Sequence, residues 1–214
     1  MLTNLPKPSA RVSSELLVLD FLNAIEWSRR DKAEPNCDNE KLLRWMEEAE
    51  LVPPDTIRTM RSRAAPGELE AVTVQAKALG TWFQAFVDDF KGKPLPPNVI
   101  QHLQPLNRIL QRDVQVLQID VRDNLNDRIA GSGLKWSTKR IWRSSDMLLL
   151  PIAQMMAQLI CTEDFSNVRA CEGPNCGRLF LDRTQGRPRR WCSMAACGNR
   201  ARRLRIKNRS IGFK

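Results

Sequence analysis

The stretch CEGPNCGRLFLDRTQGRPRRWCSMAACGNR, residues 171–200, decides how the end of this chain folds. It holds Cys171, Cys176, Cys192 and Cys197 as two C-x4-C pairs with fifteen residues between them. Two such pairs, each closed by a tight turn, can bring four thiolates to the corners of a tetrahedron, the arrangement zinc takes in structural sites. Gly173-Pro174-Asn175 supplies the turn chemistry of the first pair. The flanks RAC and GRLFLD predict two short strands around a knuckle, and Arg190-Trp191-Cys192 predicts a return strand. Ser193 is placed to N-cap a helix beginning near Met194. That helix carries Cys197 in its first turn, where the positive end of the backbone dipole favours thiolate over thiol. Four sulfur ligands leave the ion no open position, so one structural Zn2+ is expected rather than a catalytic metal. Cys37 and Cys161 have no partner at ligand spacing and are read as small buried apolar residues.

Metal is preferred over disulfides because the chain reads as cytoplasmic, where thiols stay reduced. MLTNLPKPSARVSS at the start has no apolar core and no small-residue cleavage site, so it is not read as a secretory signal. MLLLPIAQMMAQLI (147–160) is short and broken by glutamines, which predicts a buried helix and no membrane association.

The net charge of +10 is unevenly spread. Residues 169–214 carry +11, and the preceding 168 residues carry −1. A short segment this basic and this poor in apolar residues cannot bury enough surface to fold alone. Zinc, worth on the order of 10–16 kcal/mol to small metal-stapled folds, is the expected staple. Projected at 100° per residue, Met194, Cys197, Ala201 and Leu204 share a narrow arc predicted to pack on the knuckle. Arg200, Arg202, Arg203, Arg205, Lys207 and Arg209 spread over the rest, and Arg187, Arg189 and Arg190 add charge from the preceding loop. Solvated cationic helices usually interleave acids, and none stands between Asp182 and Lys214. These nine basic residues are therefore the candidate nucleic-acid contacts, with DNA as the first partner and RNA as the alternative. Asn199 could pair with adenine or satisfy backbone groups of the knuckle. Trp191 could stack on a base or shield the metal from water.

The rest of the chain reads as mainly α with one β-hairpin. SSELLVLDFLNAIEWS (13–28) has apolar residues at helical spacing. A second helix follows Asp38-Asn39 and stops at Pro53-Pro54, and Asp55 can start a third. Residues 66–91 form the clearest helix, with Leu79, Trp82, Phe83, Phe86, Val87 and Phe90 on one face. In PPNVIQHLQPLNRIL (96–110) the pattern recurs through Ile100, Leu103, Leu106 and Leu110, with Pro105 expected to kink it. The period then changes to two: Leu117, Ile119 and Val121 alternate with polar residues, and LKWSTKRIW (134–142) is rich in aromatic and branched residues. An antiparallel hairpin spanning about 114–142 is predicted. TEDFSN (162–167) is a polar break, giving a helical domain at 1–163 and a small treble-clef-like finger with a basic helix at 164–214.

The motif residues carry a resemblance. CEGPNCGRLFLDRTQGRPRRWCSMAACGNRAR resembles the CGNR zinc finger, whose tetrad stands here as Cys197-Gly198-Asn199-Arg200. LDFLNAIEW and the helical series to LNRIL resemble the ABATE domain, which precedes this finger in bacterial proteins described as stress-induced transcription regulators. The resemblance implies a bacterial DNA-binding regulator with zinc held by Cys171, Cys176, Cys192 and Cys197. An RNA- or ribosome-associated binder and a thiolate-zinc redox sensor are the competing readings of the same finger. No enzyme is expected. The single histidine, His102, reads as exposed, tyrosine is absent, and no phosphate-cradling loop or nucleophile–base motif occurs. Trp27, Trp45, Trp82 and Trp136 either line a small-molecule pocket in the helical domain or are plain core. A homodimer through the helical domain would give a lone finger more specificity.

Overall fold

The structure, a computed structural model, describes residues 17–24, 38–121, 133–185 and 189–211, with backbone alone at 38 and 208–211. Helix α1 (17–24) buries Leu17, Val18, Leu19, Phe21 and Leu22, so nearly its whole circumference is core. Cys37 and Trp27 lie outside the described residues. Helices α2 (Asp38–Glu48) and α3 (Pro54–Arg63) follow as the sequence predicts, α3 opening on Pro54, where the missing N–H costs nothing.

Helix α4 (Glu68–Phe90) is the longest, and its first turn is tied by the Glu68 carboxylate accepting from the Ala65 N–H at 2.9 Å. Val72, Ala76, Leu79, Phe83, Phe86 and Val87 recur at three- and four-residue steps and are all buried. The Phe83 and Phe86 rings stack at 5.7 Å, and Phe165 meets Phe86 edge-on at 5.8 Å. Pro105 does mark a break: a 3₁₀ turn over Pro97–Leu103 gives way to α5 (Gln104–Leu110), with the proline in the new helix's first turn. Of the apolar pattern expected there, Leu103 and Leu106 are buried but Ile100 is exposed, because the tighter 3₁₀ winding rotates it off the α-helical stripe. His102 is exposed, its ring edge against Phe90.

The change of period produces β1 (Gln115–Val121) and β2 (Leu134–Arg140), paired antiparallel with Ile119 opposite Trp136. Arg140 closes the base of this hairpin, donating to both oxygens of Asp113 at 2.6 and 2.8 Å and to Gln154 at 2.9 Å. A 3₁₀ turn (Ser145–Leu148) leads into α6 (Leu149–Thr162), which runs against α4 and α5 with eight residues buried. Ser145–Thr162 is long and apolar enough to cross a membrane by composition, but 61% of it is buried inside this protein. Cys161, expected to be buried, is exposed on the last turn of α6, where none of the described elements covers it.

Phe165, Val168, Leu179 and Leu181 belong to the same apolar core as α1, α4 and α6. The last three come from β3 (Val168–Ala170) and β4 (Leu179–Leu181), the two strands that carry the first cysteine pair. The finger therefore grows out of the helical body. Asn23 on α1 fastens it: its amide accepts from the Leu179 N–H at 2.8 Å and donates to the Leu179 carbonyl at 3.0 Å. That is the pattern a neighbouring strand would make. Arg183 pairs with Glu163, and the Gly92 N–H donates to the Phe165 carbonyl at 2.9 Å. Asp20, one turn before Asn23, has its carboxyl raised by burial and partly drawn back by the Arg178 charge.

Candidate metal centre and basic helix

Strands β3 and β4 deliver the first knuckle. Cys171 leaves β3 with its N–H bonded to the Arg178 carbonyl at 2.8 Å, and Cys176 closes a turn onto the Gly173 carbonyl at 3.1 Å. The turn needs Asn175 and Gly177 in the left-handed region, at φ 57° and 68°, which asparagine and glycine tolerate best. Gly173 answers a different demand: a Cβ there would stand 2.8 Å from the Cys197 Cβ and 3.2–3.3 Å from two of the sulfurs. Only hydrogen fits.

The second pair arrives on a segment organised by Asp182. This buried carboxylate accepts from the Thr184 hydroxyl and N–H and from the Arg189 N–H, contacts that hold it below the usual carboxylate range. The segment Arg190–Cys192 is not a strand as expected. One backbone bond ties it to the first knuckle, Glu172 N–H to Arg190 carbonyl at 2.9 Å, and the Cys192 N–H turns to the Cys171 sulfur at 3.3 Å instead of continuing a ladder. Ser193 does cap the following helix, accepting from the Ala196 N–H at 3.2 Å. The first turn, Met194–Gly198, is a wide π turn rather than an α turn, with both Cys197 and Gly198 donating to the Ser193 carbonyl. Helix α7 (Asn199–Ile211) continues from it.

The four sulfurs lie within 4.8 Å of one another, and two of the separations, Cys176–Cys192 and Cys192–Cys197, are 3.8 Å. A tetrahedron with Zn–S bonds of about 2.3 Å has sulfur–sulfur edges of about 3.8 Å. A disulfide requires about 2.05 Å, so the geometry is that of a metal site. Cys171 accepts two backbone N–H groups, from Cys192 at 3.3 Å and Gly173 at 3.4 Å. Burial raises the Cys171 thiol, but those N–H groups together with hydrogen bonds from the Cys176 and Cys192 side chains outweigh it and leave the sulfur below its ordinary value. Cys192 and Cys197 are pushed up, first by burial and then by the neighbouring cysteines. Four crowded sulfurs cannot all ionise beside one another unless a cation neutralises them. One divalent zinc with four thiolate ligands meets that demand.

The structure disperses the predicted basic residues into two groups. Arg189 and Arg190, both exposed, are bonded within the finger. Arg189 donates to the Cys192 carbonyl at 2.8 Å and lies 5.0 Å over the Phe180 ring. Arg190 pairs with Glu172 at 2.6 Å and covers Trp191. Trp191 itself packs against the cysteine cluster. On α7, Arg200 donates to the Pro174 carbonyl at 3.3 Å, whereas Arg202, Arg203, Arg205 and Lys207 are exposed. Arg187 lies outside the described residues, as does the Arg209 side chain. Asn199 donates to the Ala195 carbonyl at 3.0 Å. Met194 and Leu204, predicted to pack on the knuckle, are exposed. The helix outruns the knuckle after Ala201, which leaves Leu204 in solvent, and the wide π turn over Met194–Gly198 carries Met194 off the α-helical arc. Of the tryptophans, Trp45 is core and stacks on Phe21 at 5.4 Å, Trp82 is half-buried against Phe83 and Phe86, and Trp136 is exposed on the hairpin.

Asn23 and Asp182 position the finger and were not singled out by sequence reasoning. The available signal was polarity: an amide that shares the apolar LDFLNA helix with Asp20 alone among polar residues, and a lone acid in a run of arginines.

Family models match the chain in two places. The ABATE model, described as "Putative stress-induced transcription regulator", covers residues 15–163. The chain belongs to the ABATE family. The CGNR zinc finger model covers residues 167–210 and so contains all four metal-site cysteines. The architecture is thus an ABATE domain followed by a CGNR zinc finger with one structural zinc. A search of curated proteins finds no match.

Proposed function

We propose that this ABATE–CGNR protein is a cytoplasmic bacterial transcription regulator that binds duplex DNA through α7, with no catalytic activity of its own. One observation carries the reading: a zinc-held knuckle projects a helix whose outer turns expose Arg202, Arg203, Arg205 and Lys207, in a stretch without a single carboxylate. Arg202, Arg203 and Arg205 make no ion pair among the described residues. Phosphates supply the missing counter-charge. A helix of 13 residues, about 20 Å long, has the length and width to lie in a major groove about 12 Å wide. The family description supports the regulator role, and the +11 charge confined to residues 169–214 supports contact through the finger rather than the body.

The test is the salt dependence of binding to duplex DNA by fluorescence anisotropy. Each phosphate neutralised contributes about −0.9 to the log–log slope. The double variant Arg202→Ala/Arg203→Ala should bind more weakly and lose about 1.8 from the magnitude of that slope. An unchanged slope contradicts DNA contact through α7. Preference for structured RNA over matched duplex in competition replaces DNA with RNA as the partner.

A further inference from the structure

Strands of a solvated hairpin turn their apolar side chains inward. Here the alternation runs the other way. Directly opposed residues share a face, so the register places Leu117, Ile119, Val121, Leu134, Trp136 and Thr138 together on one side. That is the outer side. Leu117 is 63% exposed, Ile119 64%, Trp136 69% and Val121 70%. The other face holds Gln118, Asp120, Lys135 and Ser137, all half-buried, with the Ser137 hydroxyl donating to Asp120 at 2.5 Å and Gln118 to the same carboxylate at 2.6 Å. A sheet whose polar residues bond one another while its apolar residues face water is patterned for a partner on the apolar side.

We propose that two copies of this chain pair through that apolar hairpin face. The area fits. With residue areas on the order of 150–250 Å², the exposed apolar groups of β1 and β2 amount to about 600 Å² per copy, and face-to-face pairing removes roughly 1,200 Å², the lower edge of stable interfaces. The symmetry fits as well. An isologous contact needs one patch to meet its own copy about a two-fold axis between the chains, and the face centred on the Ile119–Trp136 pair offers such a patch. The charge distribution favours a copy over a charged partner. Leu117 to Val121 and Leu134 to Thr138 put no ionisable residue on this face, and residues 1–168 carry only −1, so the charge of this part does not oppose pairing. The inference concerns the hairpin alone and does not depend on what the finger binds.

Sedimentation equilibrium of the zinc-loaded full chain, without nucleic acid, tests it. The wild type should self-associate with a dissociation constant on the order of micromolar, as an interface of this size allows. Ile119→Glu and Trp136→Ser should each weaken the dimer at least tenfold, with far-UV circular dichroism and zinc content unchanged, since both side chains are exposed. Lys139→Ala, on the opposite face, should behave as wild type. A dimer that persists in both face variants overturns the proposal by placing the interface elsewhere. So does a wild type that remains monomeric to about 100 μM, where buried interfaces of this class are populated. Hydroxyl-radical footprinting of Trp136 then says why: protection in the monomer means that residues 122–132 or another segment of the chain covers the face, and full reactivity means that it receives a different protein.

Discussion

Replacing Asn23 with alanine should weaken the joint between the helical body and the finger without touching the metal. The Asn23 amide makes two hydrogen bonds to Leu179, one to each backbone polar group, at 2.8 and 3.0 Å. Leu179 is buried, so its N–H and carbonyl find no ready substitute when the amide is removed. Each lost bond forfeits about 1 kcal/mol net, and a buried group left unpaired costs about 1–3 kcal/mol. Asn23 is itself half-buried, so water reaches part of the gap, and about 2–3 kcal/mol is expected rather than the sum of maxima. For a chain of this size that corresponds to a fall in melting temperature of roughly 4–10 °C. Urea unfolding with saturating zinc, followed by far-UV circular dichroism, measures it. The metal should stay bound because all four ligands lie within the finger. A loss below about 0.5 kcal/mol, the scatter of ordinary surface substitutions, would refute the idea that this amide acts as a surrogate strand.

Three further outcomes follow from the geometry. Gly173→Ala places a methyl 2.8 Å from the Cys197 Cβ, so the knuckle must open, and zinc affinity measured by chelator competition should drop tenfold or more. Asp113 is held below its ordinary carboxylate range chiefly by its hydrogen bonds from Arg140, so it stabilises the fold fully above its unfolded pKa of about 4; wild type should lose that contribution as pH falls below about 4, whereas Asp113→Asn starts less stable and shows a shallower acid dependence in pH-resolved thermal melts. Phe83→Ala, which removes a fully buried ring stacked on Phe86, should cost about 3–5 kcal/mol in the same urea assay.

Much of this molecule is legible in its sequence where the information is local. The four cysteines declare themselves by spacing, and the Ser193 cap and the Gly-Pro-Asn turn by residue type, because each is set within five or six residues. The α4 stripe and the switch of period at Gln115 are equally local. What escapes is whether anything stands opposite a given face. Helical projection groups Met194 and Leu204 with Cys197, but the projection assumes an α turn where a π turn carries Met194, and the knuckle ends before Leu204, which leaves both in solvent. The alternation in β1 identifies a strand yet does not say that its apolar side is the outer one. Asn23 is silent for the same reason: its partner is 156 residues away, and only the fold brings β4 to α1. Arg189 and Arg190 look like their neighbours by charge, and only Cys192, Phe180 and Glu172 in three dimensions tie their side chains back onto the finger's own surface.

Zinc, through Cys171, Cys176, Cys192 and Cys197, gives the basic helix its place. Native mass spectrometry paired with hydrogen exchange tests it on the full chain. One zinc per chain should be found, and stripping it with a strong chelator should abolish amide protection across residues 194–211 while α4 and α6 keep theirs. A metal-free protein whose 194–211 amides remain protected would contradict the account.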